Sequence, residues 1–222
     1  MIDVHHQINA VRRQVGRRAF KAGEARIVTI GQTYDTPLDD LWDACTNPER
    51  LPRWFAPVTG DLTLGGRYAV EGNASGTIER CDPPKGFFAT WEFGGEVSWI
   101  ELRLTPEGDE RTRFELEHIA HVDDERWARF GPGAVGVGWD LSLMGLFRHL
   151  SGAPAVTPAE FETWGASDEG KEFVTAASES WYTASVASGE DTNAARAAAD
   201  RTSAFYRGEG PGMEGARGDG QD

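Results

Sequence analysis

The sequence predicts an α+β protein in which a curved antiparallel sheet wraps around one long C-terminal helix, with extra helices at both ends of the chain. Between residues 58 and 120, apolar and polar side chains alternate with a period of two, and turn residues divide this alternation into strands. From about residue 135 to 150, apolar residues recur at steps of three and four, which is typical of a deeply buried helix. A sheet that faces such a helix leaves room for a pocket between them.

The composition indicates an ordinary folded protein. The chain has 222 residues, of which 39% are hydrophobic and 26% charged, enough for one domain with appended helices or for two small domains. No apolar run approaches the ~18 residues that a membrane span needs, and the first twenty residues contain no secretory signal. With only Cys45 and Cys81 present, we expect free thiols in a bacterial, cytoplasmic protein.

The charge is negative overall and unevenly distributed. A net charge of −14 argues against a nucleic-acid partner, which requires a basic face. Basic residues nevertheless dominate residues 12–26, and acidic residues dominate after residue 153. We expect the basic segment to pack against the acidic tail or to keep the protein soluble, and a role at a polyanion or a membrane surface is the alternative.

The N-terminal residues 1–24 are predicted to form a helical extension. Asp3 is suited to cap a helix over residues 3–20, in which Ile8, Val11 and Val15 form a narrow apolar stripe. Residues 25–34 then predict the first strand, because they contain three β-branched residues in a short apolar run.

A START-like order of elements is expected across residues 25–152. Thr36 is predicted to cap a first helix with Pro37 at its first position, and Asn47-Pro48-Glu49 is predicted to start a second, shorter helix. One predicted strand begins at Tyr68, and further strands are predicted at 76–80, 87–93, 98–104 and 113–118. A short helix through Trp127 and Phe130 is predicted before the long helix.

Residues 153–207 are predicted to form a C-terminal helical extension, and residues 208–222 a disordered tail. Its helices fall at about 159–164, 168–188 and 192–205. Five large apolar residues are too many for a solvated extension: Phe161, Trp164, Phe173, Trp181 and Phe205. We therefore expect the extension to pack on the core or to form a homodimer contact.

Three groups of residues resemble a known superfamily. They are Trp42…Asn47-Pro48-Glu49-Arg50…Trp54-Phe55, Asp61-Leu62…Gly65-Gly66-Arg67-Tyr68, and Gly138-Trp139…Leu143. In this order they resemble the START-like (SRPBCC, Bet v-type) superfamily, and most closely its bacterial branch named after homologues of the activator of heat-shock-protein-90 ATPase. The resemblance covers roughly residues 25–150.

This resemblance implies a helix-grip fold with a cavity beneath the long helix. Members of the superfamily bind lipids, polyketides, hormones or other hydrophobic metabolites, and some are cyclases or aromatases. The resemblance implies neither a cofactor nor the separate chaperone-binding domain of the eukaryotic activators.

Strand parity and helix position predict the residues that face this cavity. They are Trp91, Phe93, Ser98, Leu102, Phe114, Leu116 and His118 from the sheet, Trp139 and Leu143 from the long helix, and Trp54 and Tyr68 at a mouth. The alternative is that these side chains fill the core and leave no cavity.

Few residues are candidates for catalysis or for binding a metal or a cofactor. His118 is the one titratable group on its strand face, suited to hydrogen bonding or acid–base work, although a lone histidine is more often a core residue. We expect Asp140 to point to solvent near the helix start, where the dipole favours it, and the alternative is that it caps a polar group of the cavity. No metal-ligand cluster is expected, and the G-x-G-x-x-G match at residues 131–136 follows a helix instead of a strand, which argues against dinucleotide binding.

The leading hypothesis is a non-enzymatic protein that binds a hydrophobic small molecule without a cofactor or a metal. Two alternatives remain open. One is a cyclase-, aromatase- or hydrolase-like enzyme that uses His118, and the other is a chaperone-like or regulatory interaction protein that uses its terminal extensions.

Overall fold

The computed structural model describes residues 3–209. The helices are α1 (Val4–Ala10), α2 (Leu38–Thr46), α3 (Asp124–Phe130), α4 (Gly133–Leu150), α5 (Pro158–Ala166), α6 (Asp168–Ala187) and α7 (Thr192–Tyr206). The strands are β1 (Arg12–Phe20), β2 (Gly23–Tyr34), β3 (Val58–Gly60), β4 (Arg67–Val70), β5 (Ser75–Asp82), β6 (Gly86–Phe93), β7 (Glu96–Pro106) and β8 (Thr112–Ala120). The predicted disordered segment 208–222 lies outside the described residues, apart from Gly208 and Glu209.

All eight strands form one antiparallel sheet in the order β1-β2-β8-β7-β6-β5-β4-β3. The pairing of β2 with β8 places the first predicted strand beside the last, with Val28 opposite His118 and His118 opposite Ile100. Helix α4 packs against this sheet and buries Val137, Leu143 and Leu146 completely. The predicted α+β, helix-grip architecture is therefore confirmed.

The predicted N-terminal helix is wrong beyond residue 10. Residues 12–20 form strand β1, which pairs along its whole length with β2 from Arg12–Gly31 to Phe20–Gly23. The strand supplies hydrogen-bond partners to an edge of β2 that would otherwise stay open. Its side chains alternate in burial from Arg12 to Val15, a period-two pattern that the three apolar residues of the supposed helical stripe concealed.

Two predicted helix starts are also shifted. The N-cap of α2 is Pro37, while Thr36 donates its hydroxyl to the Asp40 carboxylate 2.8 Å away. The second short helix is only a 3₁₀ turn at Leu51–Arg53, because the Asn47 side chain accepts the Glu49 amide and makes a turn before it.

A buried ion pair joins β1 to α4 and α6. The Arg13 guanidinium donates to Asp140 at 2.6 Å, and the Trp181 indole N–H donates to the same carboxylate at 2.8 Å. The Asp140 side chain is 0% exposed, so the expectation that it points to solvent is wrong. Burial raises the pKa of Asp140, and the Arg13 charge and the Trp181 hydrogen bond oppose that rise.

Helix α6 of the C-terminal extension packs into the core, as its apolar residues predicted, whereas Phe161 of α5 is exposed. Phe173 and Trp181 of α6 are buried in the same cluster as Leu143 of α4. Gly136 permits this contact, because a Cβ there would lie 2.3 Å from the Trp181 ring. A homodimer contact through these helices stays a prediction.

The basic N-terminal segment also meets the acidic tail, as expected. Glu190, which follows α6, accepts hydrogen bonds from Arg17 and Arg26, each at 2.7 Å. None of the helices within residues 3–209 is both long and apolar enough to cross a membrane.

The ion pair between Arg13 and Asp140 predicts a strong energetic coupling. Arg13→Met or Asp140→Leu alone leaves one buried charge without its partner. Each substitution is expected to lower the free energy of unfolding by about 3 kcal/mol. The double variant is expected to lose clearly less than the sum, as measured by urea unfolding. Arg67→Met at the exposed pair with Glu92 is the control and is expected to cost under about 1 kcal/mol. Additive losses would contradict the coupling.

Candidate ligand-binding cavity

A cavity of about 540 Å³ lies between the inner face of the sheet and helices α2 and α4. Its wall is formed by side chains of strands β4 to β8, by one face of each helix and by the segments that flank β3. The lining residues are Trp42, Cys45, Thr46, Leu51, Trp54, Phe55, Val58, Leu62, Thr63, Leu64, Tyr68, Val70, Ile78, Cys81, Pro83, Phe87, Ala89, Trp91, Ile100, Leu102, Phe114, Leu116, Trp139, Ser142 and Leu143. The side chains of the sheet and the long helix thus leave space between them.

Most of the residues predicted to face the cavity do line it. These are Trp54, Tyr68, Trp91, Leu102, Phe114, Leu116, Trp139 and Leu143. Ser98 and His118 are not among the lining residues. Phe93 contradicts the prediction, because its side chain is 60% exposed. It has the parity of Trp91 but is the last residue of β6, next to the Gly94-Gly95 turn.

Several wall residues outside the sheet were not predicted from the sequence. The residues from Leu62 to Leu64 lie in a loop without any periodic pattern, and Phe55 follows the 3₁₀ turn. Trp42 and Cys45 could have been predicted, because they extend the apolar stripe of α2 at helical spacing. Ala89 and Phe87 share the parity of Trp91 and lie on the same strand face.

The cavity reaches the surface beside the loop before β4. Leu64 lines the cavity and is nevertheless 65% exposed, the largest exposure of any large apolar side chain in the described part of the chain. Thr63 and Pro83 are also exposed lining residues. These three exposed lining residues mark where the cavity meets solvent.

An aromatic group forms one wall of the cavity. Trp139 of α4 stacks on Phe55 with ring centres 6.3 Å apart, and its other neighbour is Trp91 of β6 at 5.4 Å. The segment that carries Trp54 and Phe55 approaches α4 closely because residue 145 is glycine. A Cβ at Gly145 would lie 2.3 Å from the Trp54 carbonyl oxygen.

Four of the polar side chains that line the cavity donate hydrogen bonds to backbone carbonyls. The Tyr68 hydroxyl donates to the Thr90 carbonyl at 2.6 Å, and the Trp54 indole N–H donates to the Ala44 carbonyl at 2.9 Å. The Thr46 and Ser142 hydroxyls donate to helix carbonyls. Among residues 3–209, no Asp, Glu, Lys, Arg or His lines this cavity.

The two cysteines also line the cavity. Burial raises the pKa of the Cys45 thiol to about 12, and burial with the nearby Asp82 raises the pKa of Cys81. Both thiols are therefore protonated at neutral pH and behave as weakly polar wall groups. No cluster of three or more potential metal ligands occurs within the described ranges.

His118 lies behind this wall and bonds to the residues that form it. The Trp139 indole N–H lies 3.1 Å from His118 Nδ1, and His118 Nε2 lies 2.9 Å from the Ser98 hydroxyl. An indole N–H can only donate, so Nδ1 accepts and Nε2 carries the proton. Ser98 in turn donates to the Trp91 carbonyl at 3.0 Å. Burial lowers the pKa of His118 to about 4, which keeps the ring neutral.

Comparison with known proteins identifies relatives of this chain. The sequence model of the family described as Activator of Hsp90 ATPase homolog 1-like protein matches residues 35–151. The crystal structure of CalU16 from Micromonospora echinospora is 36% identical with a TM-score of 0.63, and the match covers 82% of this chain and 99% of CalU16. The solution NMR structure of CalU16 gives 38% identity and a TM-score of 0.65 over 82% and 97% of the two chains.

A more distant structure shows a likeness of fold alone. DynU16, from the dynemicin biosynthetic locus, is 22% identical with a TM-score of 0.51, and the match covers 59% of this chain and 49% of DynU16. The curated proteins include no match to the chain.

The neutral, buried His118 predicts a specific loss of stability in acid. In the unfolded chain His118 takes up a proton near its ordinary pKa of 6.5, whereas in the folded protein its pKa is about 4. Stability contributed by the neutral ring is complete above pH 6.5 and is lost as the pH falls toward 4, by up to about 3 kcal/mol. His118→Gln is expected to show a correspondingly smaller loss in urea unfolding over this range. Because the other titrating groups are shared, parallel curves for the two proteins would refute the prediction.

Proposed function

The chain belongs to the family of Activator of Hsp90 ATPase homolog 1-like proteins, as its sequence motifs indicated, and we propose that it binds an uncharged, hydrophobic small molecule. The observation that carries this proposal is the apolar cavity of about 540 Å³. That volume is within the range of small-molecule sites, which runs from roughly 300 to 1,000 Å³.

The chemistry of the wall supports an uncharged ligand. A carboxylate or an ammonium group that entered this cavity would lose its water and meet no opposite charge, which costs several kcal/mol. Apolar surface gains about 25 cal/mol for each Å² removed from water, and the aromatic wall adds offset or edge contacts with ligand rings. Affinity in this site therefore rises with apolar area and falls with charge.

The position of His118 favours binding over acid–base catalysis by this residue. A general acid or base has to reach the substrate directly or through one water. Both ring nitrogens of His118 are engaged, by Trp139 and Ser98, and the ring is not part of the cavity wall. The enzyme hypothesis based on His118 thus lacks its geometric requirement in this arrangement.

The terminal extensions give less support to a separate interaction role. Ile8, Phe173 and Trp181 of these extensions are buried in the main core and are not available to a partner, although Phe161 of α5 is exposed. These segments therefore serve the fold that surrounds the cavity.

A pair of fluorescent probes tests the proposed function. N-phenyl-1-naphthylamine is neutral and is expected to bind with enhanced fluorescence. Its sulfonated counterpart, 8-anilinonaphthalene-1-sulfonate, is expected to bind at least about tenfold more weakly, because the charge would be buried without a partner. Titration of the full-length protein with each probe measures the two dissociation constants. Equal binding of both probes, or no binding of the neutral one, would contradict the proposal.

A matched pair of variants locates the bound probe. Ala89 lines the cavity and is 1% exposed, so Ala89→Phe fills part of the space and is expected to weaken binding of the neutral probe at least about tenfold. Ala69→Phe makes the same change at an exposed position of β4 and is expected to leave binding unchanged. Thermal unfolding of both variants verifies that they fold. Undiminished binding to folded Ala89→Phe would place the probe outside this cavity.

A further inference from the structure

We propose that His118 is a positioning residue that fixes the two indole rings of the cavity wall and thereby makes the site selective for flat aromatic ligands. The inference about selectivity rests on the proposed function, whereas the inference about the indoles does not. His118 acts through Trp139 and Trp91, since its own ring does not line the cavity.

A chain of hydrogen bonds runs through four elements of the fold. It passes from Trp139 on α4 to His118 on β8, then to Ser98 on β7, and ends at the Trp91 carbonyl on β6. Ser98 lies directly opposite Trp91 in the sheet, so its side chain ties down the backbone from which the Trp91 ring projects. This series of hydrogen bonds therefore links the long helix to three strands at the point where the aromatic wall forms.

The His118 ring also supports both indoles by direct contact. Its centre lies 6.1 Å from that of Trp139 and 6.3 Å from that of Trp91, and both pairs are edge-to-face. The imidazole thus sits behind the angle between the two indoles, which meet at 56°. A wall with fixed ring planes presents one preferred orientation to a flat ligand, while a flexible aliphatic chain depends little on that orientation.

The two bonds require a residue that accepts from one side and donates to the other. A neutral histidine protonated at Nε2 meets this requirement, and a buried carboxylate, lysine or apolar residue does not. Glutamine also has one acceptor and one donor group, so it can preserve the chain. Phenylalanine keeps a ring of similar size but leaves the Trp139 N–H and the Ser98 hydroxyl without these partners.

Selectivity is measured with two neutral probes, N-phenyl-1-naphthylamine and 1-dodecanol, by titration and by displacement. His118→Phe is expected to reduce the preference for the aromatic probe by about tenfold, whereas His118→Gln is expected to stay close to the wild type. Ser98→Ala, a smaller change for the case in which His118→Phe does not fold, is expected to reduce the preference in the same direction. His121→Phe is the control, because exposed His121 hydrogen-bonds to the Glu24 carbonyl and does not line the cavity.

NMR spectroscopy of the same proteins reports on the wall itself. In the wild type, the Trp139 indole N–H is expected to exchange slowly with water and His118 to be protonated only at Nε2. His118→Phe is expected to speed that exchange and to weaken the cross-relaxation between Trp91 and Trp139, whereas His118→Gln restores both. This result holds whether or not a probe binds.

The outcomes separate the two proposals. If neither probe binds the wild type but the indole signals respond to His118→Phe, the proposed function fails and the positioning of the wall stands. If the probes bind and His118→Phe or Ser98→Ala changes neither the preference nor the indole signals, the positioning role is overturned and the proposed function stands.

Discussion

A buried carboxylate requires its counter-charge at the same place, and Asp140 places that requirement at the centre of this fold. It brings Arg13 from an edge strand and Trp181 from a C-terminal helix to the same side of α4. Consecutive residues of a helix point about 100° apart, so the rotation that directs Asp140 toward these partners also directs Trp139 toward the sheet. The ion pair and the cavity wall are therefore two results of one helix orientation, and Gly136 permits the close approach that it needs.

The cavity is apolar because the protein uses its own polar groups around it. Indole, phenol and hydroxyl donors at the wall are directed into backbone carbonyls, and the one buried imidazole is enclosed behind two tryptophans. These hydrogen bonds hold rings and strands in place and turn several donors away from the interior. The sequence suggested that His118 both faces the cavity and takes part in acid–base chemistry. In the structure, His118 supports the shape of the cavity wall but does not reach the interior.

The sequence predicted those elements whose periodicity is strong and local. The strands from β4 to β8, helix α4 and the three C-terminal helices lie within a few residues of their predicted positions. Strand β1 escaped prediction because four of its nine residues are arginines and its pairing partner lies across a hairpin. The partner of Asp140 is 127 residues away in sequence, so no local pattern reveals it. Strand parity placed His118 correctly on the inner face. Whether its ring reaches a cavity depends on the packing of Trp91 and Trp139, which parity does not reveal. The volume of the cavity depends on the spacing between helix and sheet.

The partners of Asp140, Arg13 in an ion pair and Trp181 through a hydrogen bond, have a consequence for inheritance. The family match spans residues 35–151, which include Asp140 but neither Arg13 nor Trp181. A gene fragment limited to that span would encode a buried charge whose partners are missing, so it would be expected to fold poorly when it is moved alone. Lineages that shed either end would be expected to carry a neutral residue at position 140.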